Sequence, residues 1–132
     1  ICDLRQPVLG ICIGQQLMCR HSEEDNTDCL GIFPADVKRF IPTDNSEKVP
    51  AMGWNNIYSL KTELFEHISE DDFVYFVHSY YVPVCEYTVA VAGYTLPFSA
   101  ALRKDNFYAT QFHPEKSGGV GEKILRNFIE RV

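Results

Sequence analysis

Apolar positions along the chain come in short runs broken by polar, proline- or glycine-bearing stretches, and each run carries a period that predicts an element. The run Pro7 to Ile11 follows a polar lead-in and reads as a buried strand. From Gly14 onward the segment GQQLMCR holds helix formers without a breaker, so a helix is expected to start there. Val37 to Ile41 reads as a short strand, and Pro42 to Pro50 as a polar loop bracketed by prolines. Asp72 to Tyr81 is aromatic and β-branched, a strand running into a polar end. Tyr87 to Tyr94 is a further strand candidate. Phe98 to Arg103 and Phe107 to Phe112 flank Lys104-Asp105-Asn106 and suit a hairpin. Gly121 to Val132 is expected to be a helix presenting Ile124, Leu125, Phe128, Ile129 and Val132 on one face. A strand–helix start, a β-rich middle and a late helix point to an α/β protein, and the hairpin makes its sheet mixed.

Composition narrows the function classes. The 132 residues are one domain's worth or part of one, with the apolar content of an ordinary globular core. A net charge of −6 and the lack of any basic run argue against a nucleic-acid partner, which would need clustered Lys and Arg. No apolar stretch is long enough to span a membrane. The opening Ile1-Cys2-Asp3 has neither an initiator Met nor the pattern of a secretory signal, so a piece of a longer, cytoplasmic protein is expected. The five cysteines (Cys2, Cys12, Cys19, Cys29 and Cys85) are odd in number and form no CxxC pair, which makes a disulfide framework or a zinc site a poor reading. All but Cys12 read as incidental or buried thiols.

Cys12 stands apart because of its neighbours. Gly10-Ile11-Cys12-Ile13-Gly14 has the form G-x-C-x-G, the thiol counterpart of the nucleophile elbow. A nucleophile on a sharp strand-to-helix turn adopts a strained backbone, and the residues two before and two after it crowd each other, so both are expected to be small. Such a turn lifts the sulfur above the sheet edge, points a helix N-terminus at it to favour the thiolate, and leaves the Ile13 N–H for an oxyanion. The same five residues could also make no more than a tight turn.

A cysteine hydrolase needs a histidine oriented by a carboxylate or amide. His113 lies in Gln111-Phe112-His113-Pro114-Glu115 at the end of a strand, where sheet enzymes present catalytic groups, and a proline bend can bring Glu115 onto its ring. His78 competes for the role from the end of an aromatic strand. His67, beside Glu66 and Glu70, reads as a surface residue of a helix, and His21 as an exposed residue of the loop after the first helix.

Taken together, PVLGICIGQQL and QFHPEKS resemble the class I, or triad, glutamine amidotransferases. The resemblance implies the flavodoxin-like three-layer α/β fold of that family, with a mixed sheet. It also implies a reaction in which Cys12 attacks the side-chain amide of glutamine, His113 relays protons and Glu115 orients the histidine. KVPAMGWN, YFVHSYY, NFYATQFHPEKS and ILRNF narrow the resemblance, over essentially the whole chain, to the glutaminase subunits of imidazole glycerol phosphate synthases. By that likeness Gln16 contacts the substrate, Glu24 meets its α-amino group, and Ser79 and Tyr80 receive its α-carboxylate. Trp54, Asn55, Tyr75 and Lys116 match positions near a partner interface. The implied partner is a (β/α)₈-barrel cyclase subunit in a heterodimer, which takes the ammonia for histidine biosynthesis. No metal or organic cofactor is implied.

Members of the family are longer at the N-terminus, where a Gly-rich loop supplies a second oxyanion N–H. Residues 1–132 are therefore expected to form an amidotransferase domain incomplete at its start and poorly active alone, since losing one such donor typically costs ~10²–10³ in rate. Three other readings stay open: a class I amidotransferase feeding a different synthase, a non-catalytic scaffold keeping the fold, and a cysteine protease or esterase-like hydrolase. An intact Cys12, His113 and Glu115 weighs against the scaffold.

Overall fold

A computed structural model describes residues 1–132. The apolar run after Pro7 forms β1 (Val8–Ile11), which turns at Cys12 directly into α1 (Ile13–Leu17). Two short strands follow, β2 (His21–Ser22) and β3 (Thr27–Asp28), and then β4 (Asp36–Arg39). Next come β5 (Ala51–Asn56), β6 (Phe73–His78) and β7 (Tyr80–Tyr81). The chain closes with β8 (Thr88–Tyr94), β9 (Leu96–Lys104), β10 (Phe107–Thr110) and α2 (Gly118–Arg131).

The main sheet has the order β1-β10-β9-β8. β1 runs parallel to β10, pairing Ile11 with Thr110, whereas β10, β9 and β8 are antiparallel, so the sheet is mixed. The turn at Asp105, with φ 55°, closes the predicted β9–β10 hairpin. Alternation along β10 sends Phe107 and Ala109 into one apolar cluster and Tyr108 into the other, which gives the sheet a core on each face. β5 pairs antiparallel with β6, and β4 pairs with both β2 and β7.

Several elements depart from the sequence reading. α1 has five residues rather than running on through Arg20, because the chain leaves the helix after Met18 to reach β2. The strand expected over Asp72–Tyr81 is divided at Ser79, where the chain passes from β5's partner, β6, to β4's partner, β7. β5 has no counterpart among the predicted strands: Met52 and Trp54 face solvent on it, so no long apolar run marks it. On α2, Ile124 is buried and Phe128 half-buried, but Ile129 is 78% exposed. Its place on the inner face is taken by polar Asn127, whose Nδ2 donates to the carbonyls of Leu64 (3.0 Å) and Glu66 (2.8 Å). His67 lies beyond a short 3-10 turn at φ 65° rather than in a helix. His21 is the first residue of β2, half-buried, with Nδ1 3.0 Å from Asp28 Oδ1.

Candidate active site

Cys12 has φ 55° and ψ −105°, a region that L-residues avoid and that strains the backbone. The crowding expected of an elbow is present on one side. A Cβ added to Gly10 would meet the Gly14 carbonyl carbon and oxygen at 3.0 Å. A Cβ added to Gly14 would meet nothing within 4 Å, so the steric demand for glycine falls on Gly10 alone. The Cys12 N–H donates to Thr110 O (2.8 Å), carrying the β1–β10 ladder one step past the strand. This parallel register brings Cys12 to the same sheet edge as the Gln111–Glu115 segment.

That segment is firmly held. The His113 N–H donates to Tyr75 O (2.9 Å), tying it to β6. Glu115 Oε2 lies 2.8 Å from His113 Nδ1, the geometry of an oriented imidazole. Buried Ser117 completes the lock: its Oγ donates to His113 O (2.6 Å) and accepts from the Tyr75 N–H (2.9 Å). The sequence reading gave Ser117 no role, although it closes the QFHPEKS segment. Gly121 of α2 packs so tightly beneath Pro114 that an added Cβ would come within 1.8 Å of the Pro114 carbonyl oxygen.

The thiol of Cys12 contacts Val77 O (3.8 Å) and Gln111 Nε2 (3.7 Å) rather than hydrogen-bonding the His113 ring. Burial pushes its pKa up, while the Ile13 N–H and the Gln111 amide pull it down to a smaller extent. Glu115 and Lys116 act on it with opposite signs. The elbow predicts a favoured thiolate, but α1 is one short turn of helix, and desolvation is the largest influence on the thiol, acting against the Ile13 N–H at that turn. Burial thus favours the neutral thiol form of Cys12.

A cavity of about 170 Å³ opens over the sulfur, lined by Cys12, Ile13, Gln16, Glu24 and the segment Val77–Tyr80. It thus gathers Gln16, Glu24, Ser79 and Tyr80, which lie far apart in sequence. The Gln16 amide donates to Tyr80 O and to Gln111 Oε1, both at 3.0 Å, so both of its hydrogens are engaged and only its oxygen is left for a ligand. Glu24 is half-buried at the start of a 3-10 turn, its N–H capped by Ser22 Oγ (3.1 Å). The rival histidine, His78, is 6% exposed; its Nδ1 lies 2.8 Å from Tyr80 O and its Nε2 has no partner. Desolvation first, and then the His113 charge, hold its pKa down at about 4.

The four residues matched to a partner surface lie around the β5–β6 hairpin and the 3-10 turn Pro114–Lys116. Trp54 is 54% exposed and meets Tyr75 edge-on at 5.9 Å between ring centroids. Asn55 Nδ2 donates to Gly93 O (2.9 Å), and Lys116 is exposed. A second, mostly apolar cavity of about 120 Å³ runs along β5 from Ala51 to Asn55 and shares His78 with the Cys12 cavity. No helix is long and apolar enough to cross a membrane.

Comparison with known proteins agrees with this architecture. The chain is 69% identical over 128 residues to the protein described as imidazole glycerol phosphate synthase subunit HisH of Bacteroides fragilis, covering 97% of this chain. It is 51% identical over 127 residues to the protein of that description from Escherichia coli strain K12, covering 95% of this chain. The chain spans 65% and 64% of the length of these two relatives. Among solved structures, a putative GMP synthase component from Thermoplasma acidophilum superposes with a TM-score of 0.66 at 24% identity, over 96% of this chain and 57% of its own, a likeness of fold. The model of the family described as glutamine amidotransferase class-I matches residues 1–132, from before the strained cysteine turn to the end of α2, and the chain belongs to that family.

Proposed function

We propose that the chain forms the reaction centre of a glutaminase subunit that hydrolyses glutamine to glutamate and ammonia. In this reading it hands the ammonia to the cyclase subunit of an imidazole glycerol phosphate synthase in the cytoplasm. The observation that carries the reading is the strained Cys12 turn opening into the same cavity as Glu24, Gln16 and the Ser79–Tyr80 strand end, beside the His113–Glu115 pair.

The chemistry follows from those positions. Glu24 provides a carboxylate for the substrate α-ammonium, and the Ser79–Tyr80 backbone receives the α-carboxylate. The Gln16 oxygen is the acceptor left over for a substrate N–H. Cys12 gives its proton to His113 as the sulfur bonds to the amide carbon, and the Ile13 N–H stabilises the oxyanion. His113 returns that proton to the nitrogen as the C–N bond breaks, so ammonia leaves and a glutamyl thioester remains. Water, losing a proton to His113, then attacks the thioester, and the thiol re-forms with release of glutamate. Glu115 keeps the ring aligned and balances its transient charge.

Trp54, Asn55, Tyr75 and Lys116 form the partner-facing surface in this reading. The Trp54–Tyr75 contact and the hydrogen bond from His113 N–H to Tyr75 O give that surface a short mechanical link to the base. The high identity to proteins named for imidazole glycerol phosphate synthase supports this cyclase over one serving another pathway.

The test is covalent labelling with a diazo-ketone analogue of glutamine, read by mass spectrometry, on the complete protein with and without the cyclase partner. Modification at Cys12 that glutamine blocks and the partner accelerates is the expected result. Modification elsewhere, or none in a folded sample with the partner present, would overturn the reading.

A further inference from the structure

Behind the nucleophile lies a line of buried polar groups that ends on the sulfur and begins on a histidine not used in the reaction above. We infer that His78 is a positioning residue for Cys12: through the Tyr80 carbonyl it sets the side-chain amides of Gln16 and Gln111 so that an N–H donor faces the sulfur. The inference rests on Cys12 being the nucleophile.

The hydrogen-bond directions are forced one after another. The Tyr80 carbonyl can only accept. His78 Nδ1, 2.8 Å away, must therefore carry the hydrogen, and the ring is the Nδ1–H tautomer. Its Nε2 is buried without a partner, and the ring is packed among Phe40, Phe76 and Phe98 at centroid distances of 5.1, 5.6 and 5.1 Å. A second proton there would be a buried charge with no acceptor, so the ring stays neutral and its single donor belongs to Tyr80.

The second lone pair of the same carbonyl accepts from Gln16 Nε2 at 3.0 Å, which fixes which end of that amide is nitrogen. The same nitrogen, 3.0 Å from Gln111, makes the facing atom of Gln111 its oxygen. The other end of the Gln111 amide is then its NH₂, 3.7 Å from Cys12 Sγ. Reversing Gln16 would set its oxygen against the Tyr80 and Gln111 oxygens, and reversing Gln111 would set nitrogen against nitrogen and turn its carbonyl toward the sulfur. Gln16 is 5% exposed and Gln111 fully buried, so water does not compete for these bonds. His78 is the anchor: it holds the carbonyl at the point where the chain passes from β6 to β7.

The experiment is the pH dependence of Cys12 alkylation by iodoacetamide in the complete protein, with thermal unfolding recorded for each variant. His78→Phe fills the aromatic cage and removes the donor; its alkylation midpoint should rise by about one pH unit, the size of one lost charge-assisted contact. His78→Asn places an amide N–H where Nδ1 stood and should restore the midpoint. Gln16→Met breaks the line at its centre and should give the same rise, and it carries the test should His78→Phe fail to fold. An unchanged midpoint in folded Gln16→Met or His78→Phe, or equal behaviour of His78→Asn and His78→Phe, would overturn the inference. Glutamine turnover by the unsubstituted protein separates the two readings: turnover with no midpoint shift refutes the relay alone, and a shift without turnover supports the relay while refuting the glutaminase.

Discussion

Cys12 is where residue-scale physics is most exposed. A side chain at φ 55° costs of order 1–3 kcal/mol, and the strain falls at the turn that sets the thiol above the sheet edge. Replacing Cys12 by Gly should therefore stabilise the fold by about 1 kcal/mol in thermal or denaturant unfolding while abolishing glutamine turnover. A loss of stability instead would mean that the sulfur's contacts with Val77 and Gln111 outweigh the backbone strain. The G-x-C-x-G spacing announced this turn in the sequence, but the steric need proved one-sided: Gly10 is fixed by the Gly14 backbone, whereas Gly14 has open space. Gln111 and Ser117 lay inside a motif singled out for its histidine and glutamate. Their roles depend on partners 99 positions away for Gln111 and 42 for Ser117, which no local pattern encodes.

At the scale of elements, the reactive groups owe their placement to how β1, β6, β10 and α2 abut. The parallel β1–β10 register sets Cys12 beside the histidine segment, and α2 presses on that segment through a glycine. Gly121→Ala puts a methyl group inside the Pro114 carbonyl, and backbone cannot yield as a side-chain tip does. It should destabilise the protein by roughly 3 kcal/mol, the upper range for overpacking, and lower turnover by displacing His113 and Glu115. Wild-type stability and activity in Gly121→Ala would show that α2 can retreat without disturbing the pair. The amphipathic pattern of α2 identified the helix but misassigned its inner face. Asn127 is buried because the Leu64 and Glu66 carbonyls need donors, a demand that apolar periodicity does not carry.

For the whole molecule, the buried neutral His78 couples stability to pH. Its pKa is about 4 in the fold, against an ordinary value near 6.5 in the unfolded chain. Between those values the unfolded chain binds a proton that the folded one refuses, so stability is complete above pH 6.5 and falls as the pH drops toward 4. The loss amounts to about 3 kcal/mol across that window. Denaturant unfolding of the wild-type protein and His78→Phe from pH 7 to 4.5 checks this: the wild-type curve should steepen downward relative to the variant, and parallel curves would reject it.

The sequence by itself determined the strand–turn–helix around Cys12, the β9–β10 hairpin, the late helix and the family, because these depend on local steric needs and on motifs carried within a few residues. It could not decide which strands adjoin, where the aromatic strand breaks to change sheets, that Gln16, Glu24 and Ser79–Tyr80 close one cavity, or which way the Cys12 proton equilibrium leans. Those outcomes turn on burial and on hydrogen bonds between residues distant in the chain. Only the folded arrangement supplies the low dielectric that holds Cys12 as a thiol and the carbonyls that orient the amides around it.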